Sequence, residues 1–579
     1  MRNAGFGSAF LCSGLLLLAA CSSSSSAPDS GQSSSCLTGC GNGLTCLQNS
    51  DFPAGVCSAT CTPGVASCPS GTTCSPLLSS GSSYCLQECA SASCPSPLQC
   101  TTTADGQVCL PLAAAVASPT SCAAPQLVVG TVASPPSAPA GCQTPKVASA
   151  LQASDVQLLG THSPGESVSF SVPAGAAGFS IVSQAVSGQN GFIDCPGQGV
   201  FANVPIPSLL LLPGGSTFFN FIDFNENYPP EDSTTASLAF FPVGGQQPYT
   251  AALTFPNTSA GLAMTLDGGL PGGTWSVVVN DFANEFNGPG VGACDAGTVR
   301  NAYDVEVVVT PGPLPSTGQL GVDIYLVSKT LDAGTAVNNA GVQQFALRFA
   351  SVYANAGVCI NTVTFHDVPT WAQDAYASVD VDDSTTQDPC SDFRQMFTLA
   401  EPGRTMALFF VDDITATGVP EGDEIVGKDG AIPGMATFNG TTAGGSVVLN
   451  ADLAVVAGCS AALDPFNCGP DRVALIAAHE TGHFLGLFHP TEQTGDEFDP
   501  LVDTASCVCA LCETNAASAA NCSDGGTPTV VDNTVCSGTT QQCGGANLLM
   551  FWLLTTSMEG AITPEQGAVM RASPLISAP

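Results

Sequence analysis

Apolar residues obey three different rules along this chain, and each change of rule marks a boundary. From 36 to 109 they are scarce. Gly, Ser, Pro and Thr fill the gaps between cysteines, and no apolar face recurs at a helix or strand period. From about 146 to 312 they come in short β-branched or aromatic runs: 168–172 (VSFSV), 179–186, 249–255, 274–281 and 303–309. Gly and Pro separate these runs, which predicts the strands of an all-β sandwich. From 318 the period mixes. Leu320, Val322, Ile324 and Leu326 alternate as in a strand, whereas Val342, Phe345, Phe349 and Val352 fall on one helix face. Further strands are predicted at 360–368, 406–414 and 446–450, then a helix leading from Arg472 to His479. Strands and helices in that order predict an α/β sheet domain over 318–579.

Composition places these segments outside the cytosol. The chain has 28 cysteines in 579 residues, too many for a reducing compartment, so disulfides are expected. Arg2 and an apolar run from Ala9 to Ala20 form a leader too short to span a membrane as a mature helix. It ends Leu18-Ala19-Ala20-Cys21, which resembles the lipobox of bacterial lipoproteins. That resemblance implies cleavage after residue 20 and a lipid on Cys21, with anchoring at the cell envelope. An ordinary cleaved signal peptide and a free extracellular protein are the alternative. Residues 21–35 are Ser-rich and read as a tether. No later segment is apolar enough to cross a membrane.

The twelve cysteines of 36–109 repeat as three four-cysteine units beginning at Cys36, Cys61 and Cys89. Two disulfides per unit are expected, with zinc as the rival reading. Residues 110–145 are rich in Ala, Ser and Pro and read as a linker, pinned by Cys122 with Cys142. Other local pairings suggested by spacing are Cys359–Cys390 and Cys459–Cys468. The cysteines from Cys507 to Cys543 read as staples of a long loop rather than as a metal cluster. The net charge is −37 with only ten Lys and Arg, which disfavours nucleic acid and anionic lipid surfaces as partners.

Candidate chemistry is concentrated in one place. Three of the five histidines lie in 479–489. On a helix, His479 and His483 share a face and can grip a metal. Glu480 is one residue round from that face, where it can act as a base towards a water. Gly486 can end the helix in a left-handed conformation and return His489 as a third ligand. Three protein ligands with an open position is the arrangement of a catalytic Zn2+ site. His162 and His366 read as structural.

The spacing His-Glu-x-x-His-x-x-Gly-x-x-His resembles that of the metzincin metalloproteases. The resemblance implies zinc bound by His479, His483 and His489, and Glu480 as general base in peptide-bond hydrolysis of a protein or peptide substrate. It also implies a methionine in a turn beneath the metal. Met550 in 547–550 (NLLM) fits that place, and an ordinary core methionine is the alternative. Many members carry a tyrosine two residues later, where this chain has Trp552. Gly495-Asp496, then Val502-Asp503-Thr504 before Cys507, is similar to a segment of the pappalysin group, with Ala505 in place of its proline. Asp496, Glu497, Asp499 and Asp503 offer hard oxygens as candidate Ca2+ ligands, and a solvated acidic loop is the alternative. Asp380, Asp382, Asp383 and Asp388 read as a second surface loop. Thr563 before Pro564 predicts the cap of a closing helix. A surface adhesion or binding protein with a weakly active or inactive domain is the competing function.

Overall fold

Three hairpins occupy the cysteine-rich repeat in the computed structural model. They pair Thr45–Asn49 with Phe52–Ser58, Thr72–Pro76 with Ser83–Gln87, and Gln99–Thr103 with Gly106–Leu110. Each hairpin sets the third and fourth cysteines of its unit opposite one another. In the middle unit Cys61 bonds Cys74 and Cys68 bonds Cys85. Cys61, Cys68 and Cys74 lie close enough to hold an ion, but all three sulfurs are oxidised, so none is a thiolate ligand.

Beyond these hairpins the structure describes 59, 61, 68, 88, 122–131, 137–139, 156–186, 192–195, 199–202, 205–220, 250–281 without 267, 302–382 without 330, and 390–417 without 402. It also describes 425–434, 444–449, 470–554 with breaks at 496–497, 523–529 and 539–541, and 560–577. Cys21, Cys142, Asp383, Asp388, Cys459 and Cys468 lie outside the described residues. Among the described residues no helix is long and apolar enough to cross a membrane.

One strand corrects the linker reading. β1 (Gln126–Val129) joins the α/β sheet, parallel to a strand more than 200 residues later. The Cys122–Cys359 disulfide ties the two together. It replaces the expected Cys122–Cys142 and Cys359–Cys390 pairings. Local spacing misled because a strand at a sheet edge can be supplied from any distance in sequence.

Eight antiparallel strands follow, forming two four-stranded sheets. β2 (Val156–His162), β3 (Ser167–Val172), β4 (Gly178–Ala185), β5 (Pro205–Leu211), β6 (Thr217–Asn220), β7 (Thr250–Phe255), β8 (Gly273–Asp281) and β9 (Tyr303–Thr310) pair in the orders β7-β4-β9-β2 and β6-β5-β8-β3. β3 buries every second residue, as its alternation requires. Trp275 lies fully buried at the centre, edge-on to Phe179 and Phe218 at 5.4 and 5.0 Å.

The second core is a six-stranded sheet. Its strands include β10 (Gly318–Leu326), β11 (Val358–Asp367), β12 (Met406–Val411), β13 (Gly427–Asp429) and β14 (Ser446–Leu449), in the order β13-β14-β12-β10-β11-β1. All neighbours are parallel except β13, which runs antiparallel along the outer edge. The run MALFFV of β12 is buried throughout because both faces are covered. Met406, Leu408 and Phe410 enter a core with Phe345 and Phe349, whereas Ala407, Phe409 and Val411 meet Phe393 and Phe397. Asn339 caps α2 (Ala340–Ala354), the helix that carries Phe345 and Phe349.

The sandwich is anchored in this second core. Its helix α1 (Ser259–Leu266) places Leu262, 2% exposed, among the buried residues of the α/β domain. Burying such a leucine contributes about 1.5–3 kcal/mol. Thr310 also donates to Ala572 O at 2.9 Å. The sandwich is therefore inserted between β1 and β10 and packed against what surrounds it.

His366 joins β1 to this sheet. Its ring lies 3.0 Å from Thr131 O and 3.1 Å from Asp323 Oδ1, and stacks on Tyr325 at 4.7 Å. His162 lies 3.3 Å from Glu166 Oε2 near the surface.

Candidate metal centre

Three imidazoles meet at one point because of a single helix and the turn that ends it. The helix α3 (Pro470–Phe484) is buried from Val473 to Phe484 and packs against helix Ala340–Ala354, β13 and β14. Tyr353 donates its hydroxyl to Ala478 O at 2.6 Å, holding the helix one residue before His479. Gly486, at φ 100°, closes the C-terminus, with its N–H bonded to His483 O at 2.9 Å. A residue with a Cβ would be strained there. The turn returns His489 to the helix. The three Nε2 atoms lie 3.1 Å (His479–His483), 3.1 Å (His483–His489) and 3.2 Å (His479–His489) apart.

These short distances are not hydrogen bonds. Each Nδ1 faces an acceptor elsewhere: Leu549 O at 2.8 Å for His479, Leu487 O at 2.8 Å for His483, and both Glu492 oxygens at 3.0 Å for His489. An Nδ1–H that donates outward leaves a lone pair on Nε2. Three inward lone pairs repel one another unless a cation sits among them. The separations suit a tetrahedral ion with nitrogen ligands at ~2.0–2.1 Å. Burial, then the charge of His489, pushes His479 down to about 3, and the same causes hold His483 well below the usual histidine value. Both stay neutral, the form that binds metal.

Glu480 is 4% exposed beside this cluster. Burial, then the neighbouring Asp429, raises its carboxyl well above the usual range, and Lys428 opposes the rise. The edge strand β13 makes the glutamate's pocket. A Cβ at Gly427 would lie 2.2 Å from Glu480 Oε1. Asp429 is likewise pushed up by burial and opposed by Lys428, Arg394 and His489. Arg394, 2% exposed, donates from Nη1 to Gly430 O at 2.6 Å and so pins the end of the strand. Burial lowers its guanidinium to about 9.

Met550 is fully buried under α3, where a Cβ on Gly482 would lie 2.4 Å from its Sδ. The same turn supplies Leu549 O to His479. Trp552 donates its indole N–H to Val531 O at 2.9 Å. The loop it touches is stapled by Cys507–Cys536, Cys509–Cys522 and Cys512–Cys543.

The candidate calcium ligands separate from this picture. Asp496 and Glu497 lie outside the described residues. Asp503 accepts from Thr563 Oγ1 and Glu565 N, both at 2.7 Å, and so caps the closing helix α4 (Pro564–Ala572). Asp499 accepts from Thr504 Oγ1 and from Leu501 N at 3.4 Å. Among the described residues, the His479, His483 and His489 group is the one set with metal-holding geometry that is not oxidised. Asp382 accepts from Thr417 N at 2.6 Å, a loop contact.

Sequence reading missed Glu492, Gly427, Lys428, Asp429 and Arg394. Only Glu492 left a signal, as an acid three residues beyond His489. The others reach the site through the sheet edge.

No family model matches the sequence, and no curated protein matches it. Metalloproteinase-II from Bacteroides fragilis is 12% identical over 36% of this chain and 60% of that one, at a TM-score of 0.18. A family two carbohydrate esterase from Cellvibrio japonicus is 14% identical over 37% of this chain and 50% of that one, at a TM-score of 0.10. This chain thus spans less than two thirds of either protein, and likenesses this slight carry no argument about fold or chemistry.

Proposed function

We propose that this protein is a zinc-dependent endopeptidase of metzincin type, exported and held at the cell envelope by a lipid on Cys21. One observation carries the reading: three imidazoles turn their Nε2 atoms to a common point beside the buried carboxyl of Glu480. Zinc bound there would supply a Lewis acid and bring the pKa of water towards neutral. Leu549 O, Leu487 O and Glu492 would hold the three rings in the ligating tautomer. Glu480 would take the proton of the attacking water and pass it to the leaving amine. Met550 would form the floor beneath the helix, as in the pappalysin-like reading of the C-terminal domain. The disulfides agree with an oxidising compartment.

The indole of Trp552 is engaged with Val531 O. It is therefore not free to assist an oxyanion, which favours a second reading: a surface binding protein whose metal domain is weakly active. The test is direct. The chain, produced in an oxidising host, should hold one equivalent of zinc and cleave an unfolded protein. Chelator should stop cleavage, and Glu480→Ala should stop it while zinc remains. Full zinc with no cleavage would sink the enzyme reading. Equal cleavage by the alanine variant would remove Glu480 from its role.

A further inference from the structure

The third imidazole is mounted differently from the other two. His479 and His483 ride on α3, which is buried from Val473 to Phe484. His489 lies beyond the helix, on an irregular arm that also carries its backing carboxylate, Glu492. That arm is fastened to the disulfide-stapled loop at three points. Thr491, fully buried, accepts from Cys507 N through Oγ1 at 2.8 Å. Gln493 O accepts from Val531 N at 2.9 Å, and Gly495 O accepts from Cys509 N at 3.0 Å. Gly495 also donates to Glu492 O at 2.9 Å. It turns at φ 69°, so close to the loop that an added Cβ would lie 2.8 Å from Cys509 Cβ. Two of the three donors on the loop are half-cystines, Cys507 bonded to Cys536 and Cys509 to Cys522.

An irregular segment opens easily unless something rigid holds it, and cross-links supply that rigidity here. We infer that the stapled loop positions the third metal ligand, and that its disulfides make metal retention depend on the oxidation state of the chain. The inference rests on the three histidines being a zinc site, and not on peptidase activity. Cys522 and Cys543 are only partly buried, whereas Cys507 and Cys536 are sealed. A dithiol reductant therefore has its way in at Cys522 and Cys543. At Cys522 its thiolate attacks the sulfur, and Cys509 leaves as a thiolate and takes up a proton. The reductant's second thiol then displaces Cys522, so the protein gains two thiols and the reductant becomes a cyclic disulfide. The bond from Cys509 N to Gly495 O then loses its anchor, and the arm bearing Glu492 and His489 loosens. The chain would hold zinc weakly in a reducing compartment and well in an oxidising one.

The test reads zinc loss from the loaded full chain to a chromogenic chelator, with the melting temperature measured alongside. The double variant Cys509→Ala/Cys522→Ala should lose zinc about tenfold to a hundredfold faster than wild type, the usual cost of disturbing what orients a metal ligand. Wild type reduced with dithiothreitol, blocked with iodoacetamide and desalted should match it. Thr491→Val keeps every disulfide but removes the acceptor for Cys507 N, and should lose zinc about tenfold faster. Thr491→Ser should restore retention. The control Cys122→Ala/Cys359→Ala opens the disulfide at the sheet edge opposite β13 and should lose zinc at the wild-type rate.

A second arm separates positioning from general loosening of the fold. In a His489→Ala background the arm carries no ligand, so adding Cys509→Ala/Cys522→Ala should change zinc affinity by less than about twofold in a calorimetric titration. Wild-type retention in both Cys509→Ala/Cys522→Ala and Thr491→Val would overturn the inference and leave the zinc site standing. So would an equal loss in the Cys122→Ala/Cys359→Ala control, or an undiminished effect in the His489→Ala background. A wild type that takes up no zinc would overturn the zinc reading and the inference with it.

Discussion

Gly427→Ala separates the glutamate from the metal. The added Cβ would lie 2.2 Å from Glu480 Oε1, 2.6 Å from Cδ and 2.7 Å from Cγ. Ordinary contact begins at about 3.4 Å, so the fit is short by about 1 Å. Glycine is not required here by its backbone, because Gly427 is not among the residues with positive φ. What must give way is the end of the glutamate side chain or a three-residue edge strand. Neither is part of a large core, so stability should fall only at the low end of the 1–3 kcal/mol typical of overpacking. The three histidines are held from other directions, by Leu549, Leu487 and Glu492, so zinc should stay. Displacing a catalytic group by about 1 Å costs about a hundredfold in rate. The assay measures zinc by absorption spectrometry, melting temperature, and kcat on an unfolded protein. Zinc near one equivalent with kcat down about a hundredfold is expected. Activity within about twofold of wild type, with zinc retained, would refute the placing of the base between α3 and β13.

Two further outcomes follow from the same geometry. Glu492→Gln removes the carboxylate behind His489 while keeping an acceptor, and should weaken zinc binding by about tenfold to a hundredfold, read as faster zinc loss to a chromogenic chelator. An unchanged loss rate would show that backbone carbonyls alone orient the site. Glu565 is raised by burial first and by Asp503 second, and it accepts from Ser259 of the sandwich and from Val502 N at 3.1 Å. A carboxyl raised in the folded state binds more protons folded than unfolded, so stability should fall as pH climbs from the ordinary glutamate value through neutrality. Glu565→Gln should flatten that slope and gain at least about 1 kcal/mol at mildly alkaline pH by thermal melts. A slope as steep as wild type would exclude Glu565 as its source.

Much of this was legible in residue order, and for a physical reason. Helix and strand periods are local, so the runs now in β3, β4, β7, β8, β9, β10 and β12 announced themselves, as did the helix carrying Val342 and Phe345. The capping box of Thr563 and Gln566 is likewise a three-residue signal. Above all, His479, Glu480, His483, Gly486 and His489 are joined by one helix and one left-handed turn, so their spacing already encodes their meeting.

What the order of residues left open depends on chains that meet from far away. β1 reads as linker because its Ala-, Ser- and Pro-rich flanks hide four residues that find a sheet edge only in three dimensions, and the Cys122–Cys359 bond follows from that. Gly427, Lys428, Asp429 and Arg394 reach the site across β13, with no motif to mark them. The acids at Asp499 and Asp503 were equally ambiguous in sequence. Whether a carboxylate caps a helix or holds an ion depends on which donors fold against it, and here Thr504, Thr563 and Glu565 do. A local period can fix a helix and two ligands on its face. Only packing decides which distant strand walls in Glu480.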